Sequence, residues 1–191
     1  MKIGENESKN LYIALVHHPV YDKERRIIST SITNYDLHDL SRLARTYSLG
    51  GFYLITPHQK QIELMEKIKK HWIEGKGKIL HPNRGEALKL SVFVHSIEEM
   101  IEDLETRYRE KIITVGTTAR ENYKYVPPER IRKMLMEQKK VVIIFGTGYG
   151  LTDETLKSLD DIIEPIRGVG EFNHLSVRSA ASIIIDRIFN C

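Results

Sequence analysis

The chain has 191 residues, of which 41% are hydrophobic and 29% charged, with a formal net charge of +3 and a pI near 8.8. That length supports a domain with a substantial core, that balance excludes a disordered polyelectrolyte, and no apolar run reaches the ~18 residues that span a bilayer. A single cysteine, Cys191, excludes a disulfide framework within the chain and points to a reducing cytoplasm.

Residues 1–10 are polar, lack the apolar core of a signal peptide and are expected to fray; 11–191 read as a single domain. Leu11 to Val16 reads as a buried strand closed by His17-His18-Pro19. Val20 to Arg26 reads as a polar, exposed excursion, and 27–32 as a short strand or extended arm. Thr33-Asn34-Tyr35-Asp36 supplies a helix start. Leu37, Leu40, Leu43, Ala44 and Tyr47 then recur at helical spacing, while His38, Asp39 and Arg42 fall off that face. Gly50-Gly51 is expected to end the helix before a strand over Phe52 to Ile55, an order that predicts a right-handed parallel crossover. A charged amphipathic helix spans 59–72, and 75–85 reads as a loop. The strand Leu90 to Val94 precedes Ser96 with Glu99 three residues on, the signature of a capping box, and a helix to about Tyr108. A strand over 111–115 ends in Gly116-Thr117-Thr118, and a helix over 129–138 has Pro128 in its first turn. The alternation predicts an α/β fold with a mainly parallel sheet flanked by helices.

The last third carries the most information. Val141 to Phe145 is apolar without alternation, as in a strand buried on both faces. It stops at Gly146-Thr147-Gly148-Tyr149-Gly150, with Thr152 or Asp153 placed to cap a following helix. Parallel strands deliver ligands to their carboxyl ends, and glycines there let a ligand approach the backbone. The G-x-G-x-G spacing matches neither a dinucleotide fingerprint nor a phosphate-binding P-loop, and alone it fits a plain strand-to-helix turn equally well. A second short strand at Ile162-Ile163 leads into a second Pro/Gly loop, Glu164 to Asn173, and His174 to Ser182 opens a helix of small residues. Two such loops together point to a nucleotide-like cofactor.

The loop Gly146 to Leu151, the turn Glu164-Pro165-Ile166-x-Gly168 and the run His174-Leu175-Ser176-Val177-Arg178-Ser179-Ala180-Ala181 resemble the second and third motifs of the SPOUT superfamily. Asp36 to Leu54 resembles the first motif, with Asp36 where Asn is usual and Arg42 at the Arg position; Ser176 also stands where Asn is usual in one branch. The resemblance implies an S-adenosylmethionine-dependent RNA methyltransferase acting on tRNA or rRNA, with a C-terminal trefoil knot and a homodimeric assembly. It implies a cofactor site of Gly116, Thr117, Gly146, Thr147, Gly148, Ile166, Leu175 and Ser176, and a substrate side carried by Arg42, Asp36 and His38. Asp39, Glu171 and His174 are further candidates for a base, should the acceptor have to lose a proton.

Two other readings stay open. A Rossmann-type oxidoreductase expects an acidic residue about 20 positions after its glycine loop, where Glu164 stands. The departures at Asp36 and Ser176 are compatible with a non-catalytic module that binds RNA or a partner. The histidines do not fall at metal-ligand spacing, and no metal is expected.

Overall fold

A computed structural model of the chain describes residues 3–170 and 172–190. Glu171, one of the candidate bases, and Cys191 lie outside the described residues. The fold is built outward from β1 (Leu11–Val16), six consecutive residues that are all buried. Such a strand needs a neighbour on each edge and a helical layer on each face. β1 receives β4 (Gly51–Ile55) on one side and β7 (Val141–Gly146) on the other, with Ile13 level with Phe52 and Ile143. β5 (Ser91–Val94) extends the sheet beyond β4; β6 (Ile113–Gly116) and β8 (Asp161–Ile162) extend it beyond β7. Every pairing in this sheet is parallel, as the alternating pattern predicts.

The alternation of side chains sorts the helices. Leu11, Ile13 and Leu15 face a core shared with α2 (Asn34–Thr46), α3 (Gln59–Ile73), α5 (Pro82–Leu88), α7 (Pro128–Met136) and α9 (Val177–Asn190). Tyr12, Ala14 and Val16 face a second core with α6 (Ile97–Tyr108) and α8 (Asp153–Ser158). No helix among the described residues is long and apolar enough to cross a membrane.

Several local expectations change. Within the segment expected to fray, α1 (Glu5–Ser8) is a short helix, and Ser8 hydrogen-bonds the carbonyl of Tyr47. The excursion after β1 is a hairpin, β2 (Val20–Tyr21) paired antiparallel with β3 (Ile27–Ile28). The stretch 75–85 holds all of α4 (Lys76–Leu80) and the start of α5 rather than a loop. α2 ends at Thr46, before the two glycines; a Cβ at Gly50 would sit 2.4 Å from the Tyr12 ring, so that glycine serves packing rather than helix termination. Ser96 caps α6 by accepting from the Glu99 N–H, but Glu99 reaches the N–H of His95 instead of closing the box. The full reciprocal box is at α2, between Thr33 and Asp36. α9 begins at Val177, leaving His174 to Ser176 in the preceding loop.

Candidate functional site

Because all six strands run one way, the loops leaving β1, β6, β7 and β8 meet at one edge of the sheet. The turn after β7 is shaped by Gly148 and Gly150, at φ +58° and +94°. Its back is held by the hairpin: the Tyr149 N–H donates to the Tyr21 carbonyl (2.8 Å) and the Tyr21 N–H to the Gly150 carbonyl (3.0 Å). A Cβ on Gly148 would lie 2.7 Å from that Tyr21 oxygen, so only glycine satisfies both the dihedral and the space.

Thr147 is fixed from the other side. Its N–H and its hydroxyl both donate to the Val16 carbonyl, at 3.2 and 3.0 Å. With that proton committed, the Thr30 hydroxyl donates to Thr147, and His17 Nδ1, 2.9 Å away, must donate to Thr30. His17 Nε2 is thereby an unprotonated acceptor, buried with no partner among the described residues. Burial pushes the His17 pKa down to about 4, partly offset by the nearby Asp36 carboxylate.

Between this turn, the loop after β6 and the segment after β8 lies a cavity of about 620 Å³. Phe145, Ile163, Ile166, Leu175, Ala180 and Ile184 give it apolar walls; Thr117, Glu164 and Ser176 give it polar ones. The Asn173 side chain donates to the Ile166 carbonyl (3.1 Å) and accepts from the Gly168 N–H (3.2 Å), holding the turn after Pro165. The Ser176 hydroxyl accepts from the Ser179 N–H (3.2 Å) and so caps α9. The mouth is lined by Tyr21, Asp22, Lys23 and Arg25 of the hairpin and by Arg120. There Asp153 accepts from the Tyr123 hydroxyl (2.7 Å), Arg120 and Arg25. Those donors, Tyr123 first, hold its carboxyl below the usual range.

Of the residues expected to hold a cofactor, Thr117, Gly146, Thr147, Gly148, Ile166, Leu175 and Ser176 line this one cavity. Gly116 does not. It is buried at the end of β6, where a Cβ would meet Leu156 at 2.8 Å and Leu159 at 2.9 Å, so its task is to seat α8. Asp36, His38 and Arg42 all lie on α2, away from the cavity. One Asp36 oxygen accepts from the Thr33 N–H (3.0 Å) and hydroxyl (2.7 Å), and the other from Arg178 of α9 (3.0 Å). His38 packs edge-on against Trp72, 5.7 Å between centroids, and burial lowers its pKa. Arg42 is exposed, with no ion pair among the described residues. Asp39 pairs with Arg178 at 3.3 Å, and His174 stands on the cavity rim. The hairpin and Arg120 were not legible as site residues; the apolar pairs Val20-Tyr21 and Ile27-Ile28 around a polar turn were the available signal for the hairpin.

The cavity's volume is that of a small-molecule pocket, with flat apolar walls and main chain brought close by glycines, which fits an adenosine-bearing ligand. None of the described residues accepts from the N–H groups of Leu175 and Ser176, leaving donors for a ligand's polar edge. Residues 10–190 match the family model for SAM-dependent RNA methyltransferases. The chain belongs to that family. S-adenosylmethionine is the cofactor of the family, and membership removes the oxidoreductase reading.

Among relatives of this chain, the tRNA (guanine-N(1)-)-methyltransferase of Oleidesulfovibrio alaskensis is 42% identical over 184 residues, covering 96% of this chain but 43% of the relative. The chain thus spans less than half of that protein. An uncharacterized protein of Aquifex aeolicus is 36% identical, covering 96% of this chain and 90% of its own. The solved structure of the A. aeolicus TrmH/SpoU tRNA modifying enzyme superposes with a TM-score of 0.57 at 16% identity, covering 96% of this chain and 77% of that one. That likeness shows the fold, which is the SPOUT methyltransferase architecture of a mostly parallel six-stranded sheet flanked by helices.

Proposed function

We propose that this methyltransferase moves the methyl group of S-adenosylmethionine to a transfer RNA in the cytoplasm, as a homodimer, with the methyl donor seated in the cavity at the carboxyl ends of β6, β7 and β8. The observation that carries this reading is the convergence of seven of the eight expected cofactor residues on a single cavity. The bound cofactor supplies an activated methyl on a positively charged sulfur. Ile166 and Leu175 would give the cofactor apolar walls, Gly146 would give the main chain room beside it, and Ser176 and Thr117 would present polar groups. Fixing that geometry is where much of the rate comes from, because in-line transfer needs position more than acid–base help. The trefoil knot belongs to the same reading, as the way the 163–176 segment is held against the turn after β7.

Transfer RNA is favoured by the name of the O. alaskensis relative. The guanine nitrogen in that name belongs to a protein of which this chain spans 43%, and the shared part need not carry that chemistry.

Arg42 is the substrate-side residue of this reading. It projects from the outer face of α2, away from its own cavity, so it acts on RNA or on the cavity of a second subunit. Asp36 holds α2 to α9 and so fixes where Arg42 is presented; His38 supports the same helix from its inner side. Labelled methyl transfer to unfractionated cellular RNA tests the proposal. Label is expected in transfer RNA. Arg42→Ala is expected to bind S-adenosylhomocysteine as the unaltered protein does and to lose at least tenfold in turnover. Label in ribosomal RNA alone contradicts the substrate, undiminished turnover removes Arg42, and cofactor binding without any transfer favours the non-catalytic module.

A further inference from the structure

Resting on the methyltransferase reading, we propose that the rim of the cavity is a site for one unstacked nucleotide of the RNA substrate: the base stacks on Phe172 with His174 and Tyr149 beside it, and the phosphate pairs with Lys23 and Arg25. Tyr149 stands out from the glycine turn with 57% of its surface exposed, and Phe172 is 81% exposed. The His174 ring lies between them, its centroid 6.3 Å from that of Tyr149 and 5.9 Å from that of Phe172. Tyr149 and His174 also line the cavity itself. Single exposed apolar side chains are ordinary, but these three rings, inclined by 74° between Tyr149 and His174 and by 48° between His174 and Phe172, form an aromatic notch at the mouth of a methyl-donor cavity, in which one base packs face-on against a single ring. A nucleobase is the natural occupant, since every base has a π-face and must leave its stack to reach a bound methyl donor.

The cations are placed for the backbone of that nucleotide. Lys23 and Arg25 line the same cavity from the tip of the hairpin. Lys23 is exposed, with no ion pair among the described residues. Arg25 has 58% of its side chain exposed, and its carboxylate partner, Asp153, is also held by Arg120 and Tyr123. An ion pair so open to water is weak, so the guanidinium can turn to a phosphate at little cost and bind it through two N–H groups. A second copy of the chain is the competing occupant. Rings, two of them with polar edges, beside exposed cations suit a flat-faced polyanion better than the charge-depleted centre of a subunit interface.

Filter retention of unfractionated cellular RNA by the full chain over a range of salt, alongside calorimetry with S-adenosylhomocysteine, tests the site. Phe172→Ala is expected to weaken RNA retention about tenfold with unchanged S-adenosylhomocysteine affinity, and Phe172→Trp to retain normal binding. Arg25→Gln is expected to lower the slope of log affinity against log salt by about 0.7. Unchanged RNA retention in Phe172→Ala overturns the stacking contact, and an unchanged slope in Arg25→Gln overturns the phosphate contact. Subunit dissociation in Phe172→Ala, with weaker S-adenosylhomocysteine binding, assigns the rim to the second copy and overturns the site. Failure of the unaltered protein to bind S-adenosylhomocysteine removes the methyltransferase reading and this site with it, whereas a defect confined to RNA removes the site alone.

Discussion

The hydrogen-bond chain from His17 through Thr30 to Thr147 ties three distant stretches into one support for the cofactor turn. In it Nδ1 donates to Thr30 in either charge state, while a second proton on Nε2 would be buried with no partner among the described residues. Burial holds the folded pKa near 4, below the unfolded value of about 6.5. Between those values the unfolded chain takes up a proton that the folded one refuses, so stability rises with pH through this window and is lost as pH falls from about 6.5 toward 4. The loss expected from His17 between pH 7 and pH 5 is about 2 kcal/mol. His17→Asn keeps a donor for Thr30 but cannot titrate, so urea melts at the two pH values are expected to shift less for it; an equal shift in both proteins contradicts the account. None of this was legible from His17-His18-Pro19, because burial and the partner at Thr30 come from the packing of the hairpin. The glycines at 146, 148 and 150 were legible only together with the second loop, because alone their spacing fits a plain strand-to-helix turn equally well.

Among elements, α2 and α9 are joined through one arginine and two carboxylates. Asp36 caps α2, and both Asp36 and Asp39 hold Arg178 in the first turns of α9. Asp36 is buried while Arg178 keeps about a third of its side chain exposed, so breaking the pair costs less than in a sealed core. Asp36→Ala removes a cap and this ion pair together, for an expected loss of about 2 kcal/mol. Asp36→Ala combined with Arg178→Ala is expected to cost less than the sum of the two, and strict additivity in denaturant melts would refute the pairing. The sequence placed Asp36 correctly at a helix start and gave it a chemical role by resemblance; the fold commits both its oxygens to structure. The loop expected over 75–85 failed for a similar reason. Its glycines looked like breakers, yet a Cβ at Gly77 or Gly85 would lie 2.5 Å from atoms of Trp72. They are there so that short helices can press against α3, a packing demand that composition does not reveal.

At the scale of the molecule, parallel strands put every functional loop on one edge, and strand order decides which loops meet. The run of alternating elements made the parallel sheet legible, and the two C-terminal glycine loops made the cavity legible. The contribution of the β2–β3 hairpin was not, because it depends on β7 being inserted beside β1. The central claim is that this edge holds an adenosine-bearing methyl donor. Ala180 faces the cavity from α9, where a larger side chain fills the space without disturbing either glycine loop. Calorimetric titration of S-adenosylhomocysteine into the unaltered protein and into Ala180→Phe is the most direct measurement. One binding event per chain, weakened at least tenfold in Ala180→Phe at unchanged melting temperature, is the predicted result; no binding, or equal binding by both proteins, would contradict it.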